Sequence, residues 1–121
     1  MISAFAERLA KLQAKHHRDL AVVIASLDDQ SHDEFVLAIQ AVLCFTSLKP
    51  VELGDGLSVG LATVNRWATG HSSPHPLICR TVRTWLVREL SQRADMIEAF
   101  SGELGTPQDD YIPRRYLPLE S

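Results

Sequence analysis

The stretch "ELGDGLSVGLATVNRWATG", Glu52 to Gly70, decides how the chain is read. It holds two short helical patterns with a break at Ser58 between them. Gly54 stands where a second helix crossing the first would need a small residue. Leu57 is placed to end the first helix against the core, Ser58 to make the turn, and Val59 to tuck beneath it. Val64 and Trp67 are three apart, so they share the inward face of the second helix. Gly70 ends that helix at the position where a left-handed C-cap is common. Six positions are left facing outward: Gly60, Leu61, Ala62, Asn65, Arg66 and Thr69.

Outward from this window the chain reads as all-α. Pro50 suits the first turn of the helix "PVELGDGL", with Lys49 just before it. Upstream, "EFVLAIQAVLCF" is apolar on most sides and is predicted to be a central helix, capped by Asp33 or Ser31 and running to about Cys44. From Ser3 to Leu27 the apolar residues Phe5, Leu9, Leu12, Leu20, Val23 and Leu27 recur at helical spacing. Glu7, Arg8, Lys11, Lys15 and Arg18 fall largely off that stripe. Downstream, "HSSPHP" reads as a loop, because each proline disfavours helix in the residue before it. Leu77, Ile78, Val82, Trp85, Leu86 and Leu90 then mark a last core helix, with "SQRADMIEAF" as its continuation or a short addition. The expected organisation is an N-terminal amphipathic helix in 1–30, a helical unit in 31–100 and an extended or mobile tail in 101–121.

The window resembles the helix-turn-helix of the lambda-repressor and Cro-type family, whose members read close to "ELAEKLGVSRSTVSRWERG". Glu52, Leu53, Leu57, Val59, Thr63, Val64, Arg66, Trp67 and Gly70 match that pattern without a gap. The resemblance covers roughly Asp33 to Leu90. It implies a lambda-repressor-like helical bundle with an added N-terminal helix. It also implies sequence-specific binding of double-stranded DNA by a recognition helix at about 60–69, and a role in transcriptional regulation. On this reading the DNA-contacting residues are Lys49, Gly60, Leu61, Ala62, Thr63, Asn65, Arg66, Thr69, His71, Ser72 and Arg80. Asn65 suits a bidentate pairing with adenine. Leu61 and Ala62 can touch only thymine methyls, and Pro50 offers no N–H to a phosphate, which leaves that contact to Lys49. A single such module reads few bases, so a homodimer over two half-sites is expected. The N-terminal helix is a candidate for the dimer surface, and packing on its own core is the alternative.

Charge and chemistry narrow the classes. The chain of 121 residues carries a net charge of −3, but residues 56–93 carry +4 between flanks of −5 (28–55) and −4 (94–121). A basic middle suits an anionic partner, although it suits a solvated helix face as well. Cys44 and Cys79 lie outside any CxxC pattern and read as reduced, buried thiols. His71, His75 and Cys79 are four apart, but Pro74 and Pro76 break the helix that would align them, so no metal site is expected. His16 and His17 read as solvated. No nucleophile, paired-carboxylate or phosphate-loop arrangement has supporting context, so neither an enzyme nor a cofactor is expected. No apolar run approaches the ~20 residues of a membrane span, and a cytoplasmic location follows as the default. Two further readings keep the fold and change the partner. One is a protein-binding adaptor using Leu61 and Ala62. The other is a DNA-binding subunit of a larger complex, gripped through the tail residues Tyr111, Tyr116 and Leu117.

Overall fold

Ser31 stops the chain in extended conformation, and its hydroxyl accepts the Glu34 N–H at 3.1 Å, so a helix starts at the next residue. Similar local signals set the other elements in the computed structural model, which describes residues 4–99. They are α1 (Ala4–Ala25), α2 (His32–Phe45), α3 (Pro50–Leu57), α4 (Leu61–Ala68) and α5 (Pro76–Ala99), with no strand among the described residues. Pro50 and Pro76 each occupy the first turn of a helix, where a missing N–H costs nothing. "SQRADMIEAF" belongs to α5 through Ala99, making one helix about 36 Å long. The tail expected in 101–121, with Tyr111, Tyr116 and Leu117, lies outside the described residues.

Phe35, Ile39 and Val42 of α2, Leu53 of α3, Val64 and Trp67 of α4, and Val82, Leu86 and Leu90 of α5 form one core. Phe35 and Trp67 meet edge to face, with ring centroids 5.3 Å apart. The Gln40 side chain donates to Ala68 O at 2.8 Å, tying the end of α4 to α2.

The N-terminal helix buries a different face from the one its large apolar residues mark. Ala6, Ala10, Ala14, His17, Ala21 and Ile24 are buried, and the most extensive helix pairing in the fold is α1 along α5. The two run antiparallel: Arg83 of α5 reaches Leu27 O, while Arg18 of α1 pairs with Asp95 and Glu98 near the far end. Of the predicted stripe, Leu27 is buried and Leu20 half-buried, whereas Phe5, Leu9, Leu12 and Val23 face solvent. Small side chains let two long helices close on each other, and bulky ones would hold them apart. The periodicity of α1 supports two stripes, and close approach selects the alanine one.

Two further expectations are corrected. Cys44 is exposed, because the helix turns it away from the core; Cys79 is buried, and burial pushes its thiol pKa up. His17 is not solvated. It donates from Nδ1 to Gln13 O at 2.8 Å, beside a cavity of about 310 Å³ that Arg93 and Phe45 also line. Burial lowers the His17 pKa below its ordinary 6.5, against the Gln13 hydrogen bond and with help from the positive charge of Arg93. The unfolded chain therefore binds this proton more readily than the native one. Stability from His17 is complete above about 6.5 and declines as pH falls toward the lowered native value. Denaturation midpoints of wild type and His17→Leu, followed across pH, are expected to diverge below about 6.5, with the wild type losing more.

Candidate nucleic-acid interface

Helices α3 and α4 are joined by only Ser58, Val59 and Gly60, so the turn must reverse within three residues. Ser58 achieves this by taking the left-handed conformation (φ 58°, ψ 40°) as the C-cap of α3. Its neighbour Val59 then donates to Gly54 O at 2.9 Å, folding the turn back onto α3. Gly54 makes that possible: a Cβ there would lie 2.8 Å from Val59 O, a backbone atom that cannot swing aside. Alanine at 54 would gain about 1 kcal/mol of helix propensity and lose a similar amount to overlap. Gly54→Val is expected to cost about 2 kcal/mol or more, seen as a lowered denaturation midpoint. Ser58→Gly, which relieves the left-handed strain, is expected to add about 0.5 kcal/mol in the same assay.

The base of this unit is fastened at Glu52. One carboxylate oxygen accepts the Lys49 N–H at 2.9 Å, closing the first turn of α3. The other accepts from Arg93 Nη2 at 3.0 Å, joining α3 to α5. On the α5 side the Trp85 indole lies over Gly56, where a Cβ would come within 2.1 Å of the ring. Both helices of the unit are thereby held, although each has only eight residues and would be marginal alone.

With Val64 and Trp67 buried, α4 turns its other face outward. Gly60, Leu61, Ala62, Asn65, Arg66 and Thr69 are all exposed, Thr63 is half-buried, and no acidic residue stands on the helix. Gly60 gives the start of α4 no side-chain cap, and a Cβ there would meet nothing within 4 Å beyond its chain neighbours. The Thr63 N–H is taken by Gly60 O at 3.1 Å, which leaves those of Leu61 and Ala62 to face an anionic group. The Thr69 hydroxyl is engaged locally, 2.9 Å from Asn65 O and 2.6 Å from His71 Nδ1. That geometry reduces what Thr69 can offer a base edge. His71 is exposed and Ser72 half-buried, in the loop that leaves α4. His32, which the sequence did not single out, holds this loop: it donates from Nε2 to Gly70 O and accepts the Ser73 hydroxyl at Nδ1. Gly70 is left-handed (φ 79°).

The basic middle of the chain is partly neutralised from within. Asp29 accepts from Arg83 at 2.5 Å and, more loosely, from Arg80 at 3.5 Å. Arg93 is spent on Glu52 and Ser47. Arg66, Arg88 and Lys49 take part in no ion pair among the described residues. Arg80 and Arg88 flank a cleft of about 450 Å³ between α5 and the α3–α4 turn, with Thr81, Thr84, Trp85 and Gly56 to Ser58 along its walls. No family model, curated protein or solved structure matches this chain. The site is therefore read from its own geometry: an outward helix face with one amide, one unpaired guanidinium and two apolar residues, beside further arginines. Among the described residues no three side chains are grouped to hold a metal ion, and no helix is long and apolar enough to cross a membrane.

Proposed function

We propose that the chain binds double-stranded DNA, with α4 in the major groove, and acts as a transcriptional regulator of the lambda-repressor type. The observation that carries this reading is the outward face of α4. Gly60, Leu61, Ala62, Asn65, Arg66 and Thr69 are exposed on a short helix without acidic residues, held rigidly by Val64, Trp67 and the Ser58 turn. A helix offered in this way suits the width of the major groove. Asn65 would read an adenine, Leu61 and Ala62 would meet thymine methyls, and Thr63 and Thr69 would lie along the groove wall. Arg66, Lys49, Arg80 and Arg88, with the open start of α4, would meet phosphates, and His71 and Ser72 would approach the backbone from the loop.

Fluorescence anisotropy with duplex genomic fragments, at several salt concentrations, tests this. Four phosphate contacts predict a slope of log K against log salt of roughly −3.6. Binding that discriminates among fragments supports a regulator. Absence of binding at low salt overturns the DNA reading. It would then favour the adaptor reading, for which the half-exposed Leu61 at the leading edge of α4 is the supporting observation.

A further inference from the structure

Between α1, α5 and the loop that follows α2 lies the cavity of about 310 Å³ that His17 and Arg93 line, with Phe45, Thr46 and Ile97 among its walls. Its polar groups are only partly used by the protein itself. His17 is 6% exposed, and its Nδ1–H is given to Gln13 O within α1. A carbonyl can only accept, so that bond fixes the tautomer and leaves a lone pair on Nε2, across the ring. Nε2 has no hydrogen-bond partner among the described residues. Arg93 donates from Nη1 to Ser47 Oγ and from Nη2 to Glu52. Its Nε–H is buried and meets no acceptor among the described residues. An unused acceptor and an unused donor thus stand beside one small cavity, and buried groups of this kind are ordinarily satisfied.

These two groups specify what fits. An occupant must bring a hydrogen to Nε2 and an acceptor to Arg93, within a volume at the small end of the range for ligand sites. Phe45 and Ile97 add an apolar side that a hydrocarbon body covers and water does not. Charge selects among the groups that carry both a donor and an acceptor. Arg93 of α5 is already matched by Glu52 of α3, and no acidic residue lines the cavity. The other titratable neighbour of His17 is His16, its ring centroid 5.7 Å away, while the loop after α2 brings only hydroxyls. One negative charge arriving with one proton leaves these surroundings balanced, whereas a dianion adds a buried charge that nothing here offsets. We propose that this cavity is a binding site for a small monocarboxylic acid. One proton is held between its carboxyl group and His17 Nε2, its second oxygen lies at the Arg93 guanidinium, and its hydrocarbon part rests on Phe45 and Ile97. The acid enters as a carboxylate, so the proton comes from solvent at each binding event.

This site stands whether or not α4 binds DNA, and its test uses the full chain without nucleic acid. Acetate, isobutyrate and benzoate are titrated at millimolar concentrations, with benzamide and inorganic phosphate as comparisons. Saturable one-to-one binding of isobutyrate or benzoate is expected, about tenfold tighter than either comparison, the difference made by one charge-assisted hydrogen bond. Calorimetry in two buffers of different ionisation enthalpy is expected to show up to one proton taken up per carboxylate bound. Affinity then falls by up to about tenfold per pH unit above 6.5, where the free His17 is neutral. Nitrogen NMR of the His17 ring locates the event. Its Nε2 signal is expected to move toward that of a protonated nitrogen on binding, while Nδ1 stays protonated. His17→Gln is expected to lose the proton uptake, and Ile97→Trp to fill the cavity and abolish binding, with circular dichroism confirming each fold. The proton count and the NMR shift of the wild type decide the matter even where a variant unfolds. Failure of all three carboxylates to saturate, binding without proton uptake, phosphate or benzamide binding as tightly as benzoate, or an unmoved Nε2 signal would each overturn the proposal.

Discussion

Reversing the charge at Arg66 is expected to weaken DNA binding by about 30- to 150-fold at moderate salt, which corresponds to roughly 2–3 kcal/mol. Arg66 is exposed on the outer face of α4 and takes part in no ion pair among the described residues. Its positive charge is therefore available to a phosphate, and glutamate there would repel one. The fold should tolerate Arg66→Glu. A negative charge in the last turn of α4 opposes the helix dipole, which costs only about 0.3–1 kcal/mol. Circular dichroism and the denaturation midpoint then stay near wild type while anisotropy reports the loss. The slope of log K against log salt should also flatten by about one, because one fewer counterion is released. Lys11→Glu on α1 supplies the control, since it changes net charge equally and lies on a helix packed against α5. An equal loss for Lys11→Glu would assign the binding to bulk charge and remove α4 from the interface. Asn65→Ala separates reading from attraction. It should cost about 1–3 kcal/mol only on fragments whose preferred base it pairs with, and leave the salt slope unchanged.

The α3–turn–α4 unit was legible because its determinants are local. Gly54, Leu57, Ser58, Val59, Val64 and Trp67 lie within 14 consecutive residues, and each is constrained by a helical register that the sequence displays directly. The left-handed Ser58 and the close approach at Gly54 follow from having only three residues in which to turn. Features set by distant parts of the chain were not legible. Asp29 acts as counter-ion to arginines 51 and 54 residues away, and nothing in its own neighbourhood announces that. The face that α1 buries was misread for a related reason. Hydropathy ranks Phe5, Leu9 and Leu12 above Ala6, Ala10 and Ala14, but which stripe is buried depends on the shape of the opposing helix. His17 entered the core with the alanines because it falls on their stripe, and Gln13 O within the same helix satisfies its N–H. At the candidate site, exposure of Asn65 and Arg66 could be read from periodicity. The engagement of the Thr69 hydroxyl by its own backbone could not.

Trp67→Ala is expected to remove about 3–5 kcal/mol of stability, the largest loss from any single side chain in the interface unit. Trp67 is one of the two buried residues of α4, with Ala68 packed against the core beside them. Its truncation forfeits the transfer energy of a large aromatic, leaves a cavity, and ends the edge-to-face contact with Phe35, which by itself contributes about 0.5–1.5 kcal/mol. Domains of this size have about 5–15 kcal/mol in total, so the variant approaches the edge of folding at ordinary temperature. The loss should also be uneven across the fold. An eight-residue helix has no independent stability, whereas α1 and α5 keep their long antiparallel contact. Hydrogen exchange should therefore show amides of residues 61–70 losing protection before those of α1 and α5, with most far-UV helical signal retained. Trp67→Phe, which keeps an aromatic ring against Phe35, is expected to recover at least half of the lost stability and part of the DNA affinity. Uniform loss of protection across all five helices would instead mean that α4 is as integral to the core as α5. The outward face of α4 would then have no separate stability through which binding could be tuned.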